Sequence, residues 1–258
     1  MQDIAERYFG LRGRRAVVTG AGRGIGRAIA EAFAGMGAEV LVHYHSSKDK
    51  AEDVVETIVK NGGKAWAAGA DLTDSAAAKA LFARVAERWG ACDILVNNAG
   101  DLVRRCNIEE LPDDLIETVL KTNIHTALYS IRAAIPLLKK GTRPSIVNLG
   151  SIAAHNGGAI GATLYAAAKG AIHTFTVGLS RELAPDIRVN AIAPGVIETD
   201  FHIRHNTKER LQAVAKNTLL QRNGTADEMA AAALLLCGDG GAFITGEVIN
   251  INGGLWFA

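Results

Sequence analysis

The stretch Arg15-Ala-Val-Val-Thr19-Gly20-Ala21-Gly22-Arg23-Gly24-Ile25-Gly26 decides the fold of this chain. A short run rich in β-formers ends in a cluster of glycines, and a helical apolar periodicity begins at Gly24. Glycines at a strand-to-helix turn permit a tight bend and let backbone N–H groups approach a pyrophosphate closely. The stretch therefore predicts a phosphate-binding loop between the first strand and the following helix of an α/β protein.

The alternation of strand and helix continues along the whole chain. Further strands are predicted at residues 39–44, 64–70, 93–96, 145–149, 187–192 and 247–251. Helices are predicted at residues 24–36, 49–61, 74–89, 113–139, 164–183 and 225–236. This order is typical of a doubly wound parallel sheet with helices on both faces. We expect one α/β domain of about seven strands that spans residues 1–258.

One segment, residues 196–221, interrupts that alternation. It is long and polar, and it carries His202 and His205. A long excursion on a compact α/β domain is typical of a lid over a ligand, and a solvated helix-loop insert is the alternative. The two histidines lack recognisable further ligands, so we interpret them as surface residues and expect no metal site.

Composition narrows the classes of function. The chain has 28 basic and 27 acidic residues, a net charge of +1 and only 5% aromatic residues, which disfavours a nucleic-acid partner. It lacks an 18-residue apolar run and an apolar signal core at its start, so we expect no membrane span and a cytoplasmic protein. Three cysteines without a CxxC spacing are expected to be reduced thiols.

The end of the second strand bears on the choice of cofactor. The common dinucleotide fingerprint places an acid there, which holds the adenosine ribose of NAD. Here the strand ends in Tyr44-His45-Ser46, without a carboxylate, and Arg23 lies inside the glycine loop. A cation and a hydroxyl in place of an acid favour NADP(H), and NAD(H) stays the alternative.

Tyr165 and Lys169 form an i, i+4 pair that a helix would place on one face. An ammonium beside a phenol is expected to lower the phenol pKa from about 10, which would suit proton transfer near neutral pH. The alternative is a tyrosine packed in the core and a lysine in water. Ser151 opens the glycine-rich run that precedes the pair, and this run is a candidate wall of a substrate pocket.

Further motifs stand at the ends of the predicted strands, and together they resemble the short-chain dehydrogenase/reductase family. The glycine loop reads T-G-x-x-x-G-x-G, and the likeness runs from Leu11 to Gly254. It implies a Rossmann-type fold and a homotetramer formed through the two long helices. The other motifs, in chain order, are Asn97-Asn98-Ala99-Gly100, Asn123, Ser151, the Tyr165/Lys169 pair and Pro194-Gly195.

The resemblance implies four catalytic residues. Tyr165 would protonate a carbonyl oxygen, or accept a hydroxyl proton in the reverse direction. Lys169 would lower the pKa of Tyr165 and bind the nicotinamide ribose. Ser151 would hold the substrate oxygen, and Asn123 would interrupt its helix and hold a water in a proton relay.

The resemblance also implies a cofactor-binding set along the ends of the strands. Asp71 and Leu72 would contact the adenine, and Ile197 and Thr199 would contact the nicotinamide carboxamide. The full expected set is Gly20, Gly22, Arg23, Gly24, Ile25, Gly26, His45, Ser46, Asp71, Leu72, Asn98, Ala99, Gly100, Tyr165, Lys169, Pro194, Gly195, Ile197 and Thr199.

The substrate side departs from the family pattern. Ser151 and Tyr165 are about one residue further apart than the family usually has them, so we expect a bulge between them. His155 and Asn156 in this loop are candidate substrate contacts together with Ser151 and Tyr165, and a purely structural role for the loop is the alternative.

Asp101 stands where the family usually has an apolar residue. We expect a solvated carboxylate that Arg104 and Arg105 neutralise, and a role in substrate choice is the alternative.

The leading hypothesis is NADP-dependent transfer of hydride to a carbonyl substrate, a 3-oxoacyl thioester or a general ketone. Sugar or polyol oxidation on the same fold is the alternative. A non-catalytic dinucleotide sensor is disfavoured because all four catalytic positions remain. Acyl carrier protein is a candidate partner, for which a basic patch would be needed. The candidate patch residues are Arg104, Arg105, Arg132, Arg204, Lys208 and Arg210.

Overall fold

The computed structural model describes residues 4–257 of the chain, and a single parallel sheet runs through them. The strands are Arg15–Val18 (β1), Glu39–Tyr44 (β2), Lys64–Gly69 (β3), Ile94–Asn97 (β4), Ser145–Leu149 (β5), Arg188–Pro194 (β6) and Val248–Ile251 (β7). Their order across the sheet is β3-β2-β1-β4-β5-β6-β7, and every neighbouring pair is parallel.

Helices connect the strands and cover both faces of the sheet. In chain order they are Ile4–Phe9 (α1), Gly24–Gly35 (α2), Lys48–Lys60 (α3), Ser75–Trp89 (α4), Asp113–Leu120 (α5), Thr126–Leu138 (α6), Ala153–Asn156 (α7), Thr163–Leu183 (α8), Asp200–His205 (α9), Lys208–Asn217 (α10) and Ala226–Cys237 (α11). The predicted doubly wound α/β fold is confirmed. The short helices α1, α7, α9 and α10 were not predicted individually.

Two apolar layers hold the helices on the sheet, and alternate strand residues supply them. Val18 of β1 faces the layer that contains Ile29 of α2 and Leu236 of α11. Its neighbour Val17 faces the opposite layer, which also contains Ile131 of α6. Because successive strand side chains point to opposite faces, a short apolar strand can feed both layers.

The strand order reverses direction between β1 and β4, and this opens a crevice at their carboxyl ends. Thr19, which follows β1, joins the two loops that border the crevice. Its Oγ1 accepts hydrogen bonds from the backbone N–H groups of Asn98 and Ala99, both at 3.0 Å. Its own N–H donates to Val96 O at 3.0 Å. The fold therefore fixes both loops against each other at the place where ligands bind in such sheets.

The predicted long helix after β4 is divided by a π-helical turn. Helix α5 continues through Lys121–His125, which is π-helical, into α6. Asn123 lies in this turn, and its Nδ2 donates to Val119 O at 2.9 Å. π-turns of this kind often mark functional sites. The helix ends at Leu138, shortly after Pro136, as the proline predicted.

The segment at residues 196–221 folds into α9 and α10 rather than into an open loop. A parallel bridge between Ile197 and Gly224 closes its base. Thr207 is the N-cap of α10, and its side chain accepts a hydrogen bond from the N–H of Arg210. No helix within residues 4–257 is both long enough and apolar enough to span a membrane.

Candidate active site

A cleft of about 880 Å³ lies at the carboxyl ends of the strands and brings most of the predicted site residues together. The glycine loop, the ends of β2 and β3, the loop after β4 and the segment after β6 all line it. Tyr165, Lys169 and Ser151 line the same cleft. Among the predicted site residues, Gly26, Asn123 and His155 are not part of its lining.

The glycine loop packs closely against the loop after β4. Asn98 Nδ2 donates to Thr19 O at 2.9 Å and to Gly20 O at 3.0 Å. A Cβ on Gly26 would lie 2.5 Å from that same Nδ2 atom, so any larger residue there would displace the loop. Gly20 and Gly24 have φ angles of 62° and 55°, which favour glycine.

The start of α2 fits a pyrophosphate. Arg23 at its N-cap has extended backbone and its side chain makes no capping hydrogen bond. The first N–H groups of a helix are unpaired within the helix and attract anions. Gly22, Gly24 and Ile25 bring this helix start to the cleft wall. The residues present therefore fit the phosphates of a dinucleotide.

His43 supports the glycine loop, and sequence reasoning treated it only as a strand residue. Its Nδ1 accepts the N–H of Gly20 at 3.2 Å, and its Nε2 lies 3.1 Å from Ala70 O. These contacts require the proton on Nε2, so the ring is neutral. Burial lowers the pKa of His43 to about 4. The available signal was a histidine at the carboxyl end of an otherwise apolar strand.

The part of the cleft where the sequence predicts the adenosine is lined by Arg23, His45, Ser46 and Asp71. The Asp71 carboxylate accepts from Thr73 N at 2.9 Å and from Thr73 Oγ1 at 2.7 Å, and these bonds lower its pKa. Its other oxygen lies 3.9 Å from His45 Nε2. The arrangement confirms that the end of β2 has no acid and that the nearby acid is already hydrogen-bonded.

The catalytic end of the cleft is built on β5 and α8. Lys169 Nζ donates to Leu149 O, at the end of β5, at 2.7 Å. The same atom lies 5.7 Å from the centre of the Tyr165 ring. Ser151, two residues beyond β5, accepts the N–H of Ala153 on its Oγ at 3.1 Å. Strand end and helix face thus place the predicted hydroxyl, phenol and ammonium in one corner.

The expected lowering of the Tyr165 pKa is wrong for this arrangement. Burial raises the pKa of Tyr165, an interaction with the Ser151 hydroxyl opposes the rise, and the negative charge of Asp101 adds to it. Burial also lowers the pKa of Lys169 to about 8. Desolvation is the largest cause of both shifts, since Lys169 is buried and Tyr165 is partly buried. Tyr165 therefore stands as a neutral phenol, which is the form that donates a proton.

Asn123 is buried beside this corner, with 2% of its surface exposed. Its Nδ2 also donates to Asp101 O at 2.7 Å, which fixes the amide. Its Oδ1 has no hydrogen-bond partner among residues 4–257. A Cβ built on Gly100 would lie 2.8 Å from this Oδ1 and 3.2 Å from Lys169 Nζ. Only glycine at position 100 leaves room between these two polar atoms.

The loop between Ser151 and Tyr165 turns His155 away from the cleft. The His155 ring stacks on Trp256 with centres 4.1 Å apart and planes 8° apart. Asn156 does line the cleft. The expectation that His155 contacts substrate is therefore not supported, because aromatic stacking with the C-terminal tail holds the ring. Behind the loop, His173 Nε2 accepts the N–H of Ser151 at 3.3 Å.

Asp101 is paired with α9, and the prediction of Arg104 and Arg105 as its partners is wrong. Arg204 Nη1 donates to its Oδ2 at 3.0 Å, and His205 Nε2 lies 2.8 Å from its Oδ1. The physical reason is that the fold brings Arg204 and His205 of α9, more than 100 residues further along the chain, into hydrogen-bond contact with both carboxylate oxygens. Hydrogen bonds from His205 and Arg204 outweigh burial and lower the Asp101 pKa.

Helix α9 also brings two predicted surface histidines into the cleft lining. The side chain of His205 is 8% exposed, and His202 is partly buried with its pKa lowered to about 4, chiefly by burial. The ring of Phe201 contacts both histidine rings, and its centre lies 6.1 Å from that of the Tyr165 ring. Within residues 4–257, no three potential metal ligands of the His, Cys, Asp or Glu type come together.

The proposed basic patch is divided in space. Arg105, Arg204 and Arg210 line the cleft. Arg132 instead donates to Ser75 Oγ at 2.7 Å on the outer side of α4 and α6. Lys208 and Arg104 are exposed outside the cleft lining. The six residues therefore do not form one patch at the mouth.

Comparison with known proteins identifies the family. Residues 20–256 match the family model described as enoyl-(acyl carrier protein) reductase. The chain belongs to the short-chain dehydrogenase/reductase family. It is 38% identical over 243 residues to the oxidoreductase YgfF of Escherichia coli, covering 93% of this chain and 98% of the relative.

Two further members of the family are similar over nearly their full length. The 3-oxoacyl-[acyl-carrier-protein] reductase FabG of Vibrio harveyi is 37% identical over 247 residues, which are 95% of this chain and 98% of the relative. A short-chain dehydrogenase of Burkholderia cenocepacia, solved in complex with NADP, superposes with a TM-score of 0.89 at 38% identity, covering 95% and 98% of the two chains. Our chain is accordingly an NAD(P)-dependent oxidoreductase.

The close contact at Gly26 predicts a steric test of the cofactor loop. Gly26→Ala places a methyl group 2.5 Å from Asn98 Nδ2 and 2.6 Å from Gly20 O, so the loop must shift. We expect at least a tenfold weaker binding of NADPH, or about 1.4 kcal/mol, by fluorescence titration. Gly35→Ala in the same helix meets nothing within 4 Å and serves as the control, with unchanged binding. Equal affinities of the two variants would contradict this prediction.

The depressed pKa of His43 predicts an acid-sensitive fold. Below pH 6.5 the unfolded chain binds a proton at His43, which the folded chain accepts only near pH 4. Stability therefore falls as the pH drops through this window, by on the order of 2–3 kcal/mol for this group. Denaturant titrations across this range should show a shallower pH slope for His43→Gln. Burial also lowers the pKa values of His173 and His202 to about 4, so part of the dependence of stability on pH should persist in His43→Gln. An unchanged slope would show that His43 is not responsible.

Proposed function

We propose that the protein is an NADP(H)-dependent reductase of a carbonyl substrate, a 3-oxoacyl thioester or a general ketone. The observation that carries the proposal is the corner of Ser151, Tyr165 and Lys169 in the same cleft as the glycine loop. The bound nicotinamide would supply the hydride, which is chemistry that the cofactor itself carries. The residues of the chain supply binding, orientation and the proton.

In this proposal Tyr165 and Ser151 act on the substrate oxygen. Both hydroxyls would donate hydrogen bonds to it, and these bonds strengthen as negative charge develops on the oxygen. Tyr165 then gives up its proton. Its raised pKa means that the phenol is fully protonated at neutral pH and ready to act as the acid.

Lys169 and Asn123 would return the proton. Lys169 titrates near pH 8, so its ammonium can supply a proton close to physiological pH. Gly100 leaves space between Lys169 Nζ and the unpaired Oδ1 of Asn123. A water in this space would connect the ammonium to solvent, as the proposed relay requires.

The proposed preference for NADP(H) rests on the adenosine end of the cleft. Arg23 and His45 present nitrogen donors there, and Ser46 presents a hydroxyl. Asp71 already accepts two hydrogen bonds from Thr73. A phosphate on the adenosine ribose would find a cation and meet no free acid at the end of β2. The similar protein of Burkholderia cenocepacia was solved with NADP.

Further parts of the proposal concern partners and location. The similarity to FabG of Vibrio harveyi supports acyl carrier protein as the donor of a thioester substrate. The exposed rings of Phe243 and Phe257 support an oligomer, for which we propose a homotetramer. Free thiols at Cys92, Cys106 and Cys237 suit the cytoplasm. Residues 196–221 would act as the substrate lid.

The role of Tyr165 is tested by removing one oxygen atom. Tyr165→Phe should lower turnover of a reducible ketone by about 10²–10⁴-fold, because the general acid is lost. NADPH binding, measured by fluorescence, should persist. Tyr129→Phe, a partly buried tyrosine outside the cleft lining, is the matched control. Near-normal turnover of Tyr165→Phe across a panel of 3-oxoacyl thioesters, ketones and sugars would exclude this mechanism.

The cofactor preference is tested at Arg23. The ratio of kcat/KM for NADPH to that for NADH should exceed one, and Arg23→Ser should reduce the ratio about tenfold through loss of a charge-assisted hydrogen bond. Arg27→Ser, one turn along α2, removes an arginine that pairs with Glu31 at 2.7 Å, and it should leave the ratio unchanged. A wild-type ratio that favours NADH would refute the preference.

A further inference from the structure

Two arginines of the cleft lining, near the loop between Ser151 and Tyr165, carry charge that no carboxylate among residues 4–257 neutralises. Arg105 follows β4 and is partly buried, and Arg210 is exposed on α10. Both line the cleft. Within residues 4–257 neither guanidinium takes part in an ion pair, although other arginines nearby do. Uncompensated cations at a ligand cavity point to an anionic ligand.

Arg105 is held in place entirely by neutral oxygens. Its Nε donates to His205 O at 3.3 Å, its Nη1 to Ile160 O at 3.1 Å and its Nη2 to Asn206 Oδ1 at 3.1 Å. These three bonds fix the plane of the guanidinium but leave its charge intact. A guanidinium has five N–H groups. Two N–H groups of Arg105 are therefore left for a ligand.

The acids that surround the pair are committed to other partners. Asp101 pairs with Arg204 and His205. Asp200 lies 3.4 Å from Lys50 Nζ. Glu209, next to Arg210 in sequence, is hydrogen-bonded to Thr207 and to its own backbone at the start of α10.

The two arginines also influence each other and their surroundings. Burial lowers the pKa of Arg105, and the charge of Arg210 lowers it further. Burial is the main cause of the lowered pKa of His202, and the charges of His205 and Arg105 lower it further. An anion bound at the two guanidinium groups would relieve the repulsion between them.

The position of Arg105 is coupled to the catalytic loop. Gly161, four residues before Tyr165, has a φ angle of 75°, and a Cβ there would lie 3.0 Å from Arg105 Cβ. The N–H of Cys106 donates to Gly161 O at 2.9 Å. Arg105 thus packs directly against the loop that joins Ser151 to Tyr165. A substrate held at Ser151 and Tyr165 would share one cleft with the guanidinium pair.

We propose that Arg105 and Arg210 form a subsite for an anionic group, a carboxylate or a phosphate, which the carbonyl substrate carries away from its reacting carbon. The proposal rests on the proposed function, because it names the substrate class of the same site. The planar fork of Arg105 suits bidentate binding of either anion, and Arg210 adds a second charge. Neutral ketones and sugars of the same size would lack this contact.

The test compares matched substrates that differ only in charge. Oxo acids of increasing chain length, beginning with acetoacetate and levulinate, are each compared with their methyl esters, using NADPH. A second arm compares dihydroxyacetone phosphate with dihydroxyacetone and so distinguishes a phosphate from a carboxylate. We expect kcat/KM for at least one anion to exceed that for its neutral partner by tenfold or more. The advantage should shrink with added salt.

The variants assign that advantage to the arginine pair. Arg210→Gln should lower the ratio of anion to neutral substrate about tenfold, as loss of a charge-assisted contact predicts. Arg104→Gln, an exposed neighbour of Arg105 that does not line the cleft, is the matched control and should leave the ratio unchanged. Equal kcat/KM values for all pairs, or an identical ratio in wild type and Arg210→Gln, would overturn the subsite.

Failure of the proposed function gives a different result. If no carbonyl compound is reduced, calorimetric titration with the same oxo acids and with dihydroxyacetone phosphate still reports on the subsite. Saturable binding that Arg210→Gln abolishes and Arg104→Gln retains would support the anion site without the reaction. If neither turnover nor saturable binding is observed, both proposals are overturned.

Discussion

The contact between the loops after β1 and β4 is the constraint on which the site depends. One hydroxyl, Thr19 Oγ1, accepts two backbone N–H groups from the second loop, and Asn98 returns two hydrogen bonds to the first. His43 adds a third element by binding Gly20 on one side and Ala70 on the other. The glycine loop is therefore held by polar bonds from β2 and from the loop after β4, and the start of α2 lies at the cleft wall. Because Thr19 and His43 are buried, losing one of their partners would leave a buried polar group unsatisfied.

Much of the fold was predictable because its determinants are local. Short apolar strands, helical periodicity and punctuating glycines depend on neighbours in the sequence, and right-handed crossovers then limit the topology. The positions of Ser151, Tyr165 and Lys169 follow from the same logic, since a strand end and a helix face bring them together. The family resemblance predicted that Asn123 interrupts its helix, but not that the interruption is a π-turn. Nothing in its local sequence distinguishes it from a regular helix.

The rest depended on contacts between distant parts of the chain. Asp101 and His205 are 104 residues apart, and sequence reasoning paired the carboxylate with its neighbours instead. The stacking of His155 on Trp256 required the position of the C-terminal tail. The direction of the Tyr165 pKa shift required the balance between desolvation and charge, which only the buried geometry gives. His43 escaped notice because its role depends on which groups face its two nitrogens.

The pairing of Asp101 with α9 has a consequence for protein engineering. Asp101 interacts with two side chains of α9, its backbone oxygen accepts from Asn123, and its charge adds to the rise in the Tyr165 pKa that burial causes. A transplanted segment from a relative that has no cation at positions 204 and 205 would leave this partly buried carboxylate without its two partners. An apolar residue at 101 alone would leave the buried His205 side chain and the exposed Arg204 side chain without this acceptor. Position 101 and helix α9 therefore depend on each other, and recombination between relatives should exchange them together.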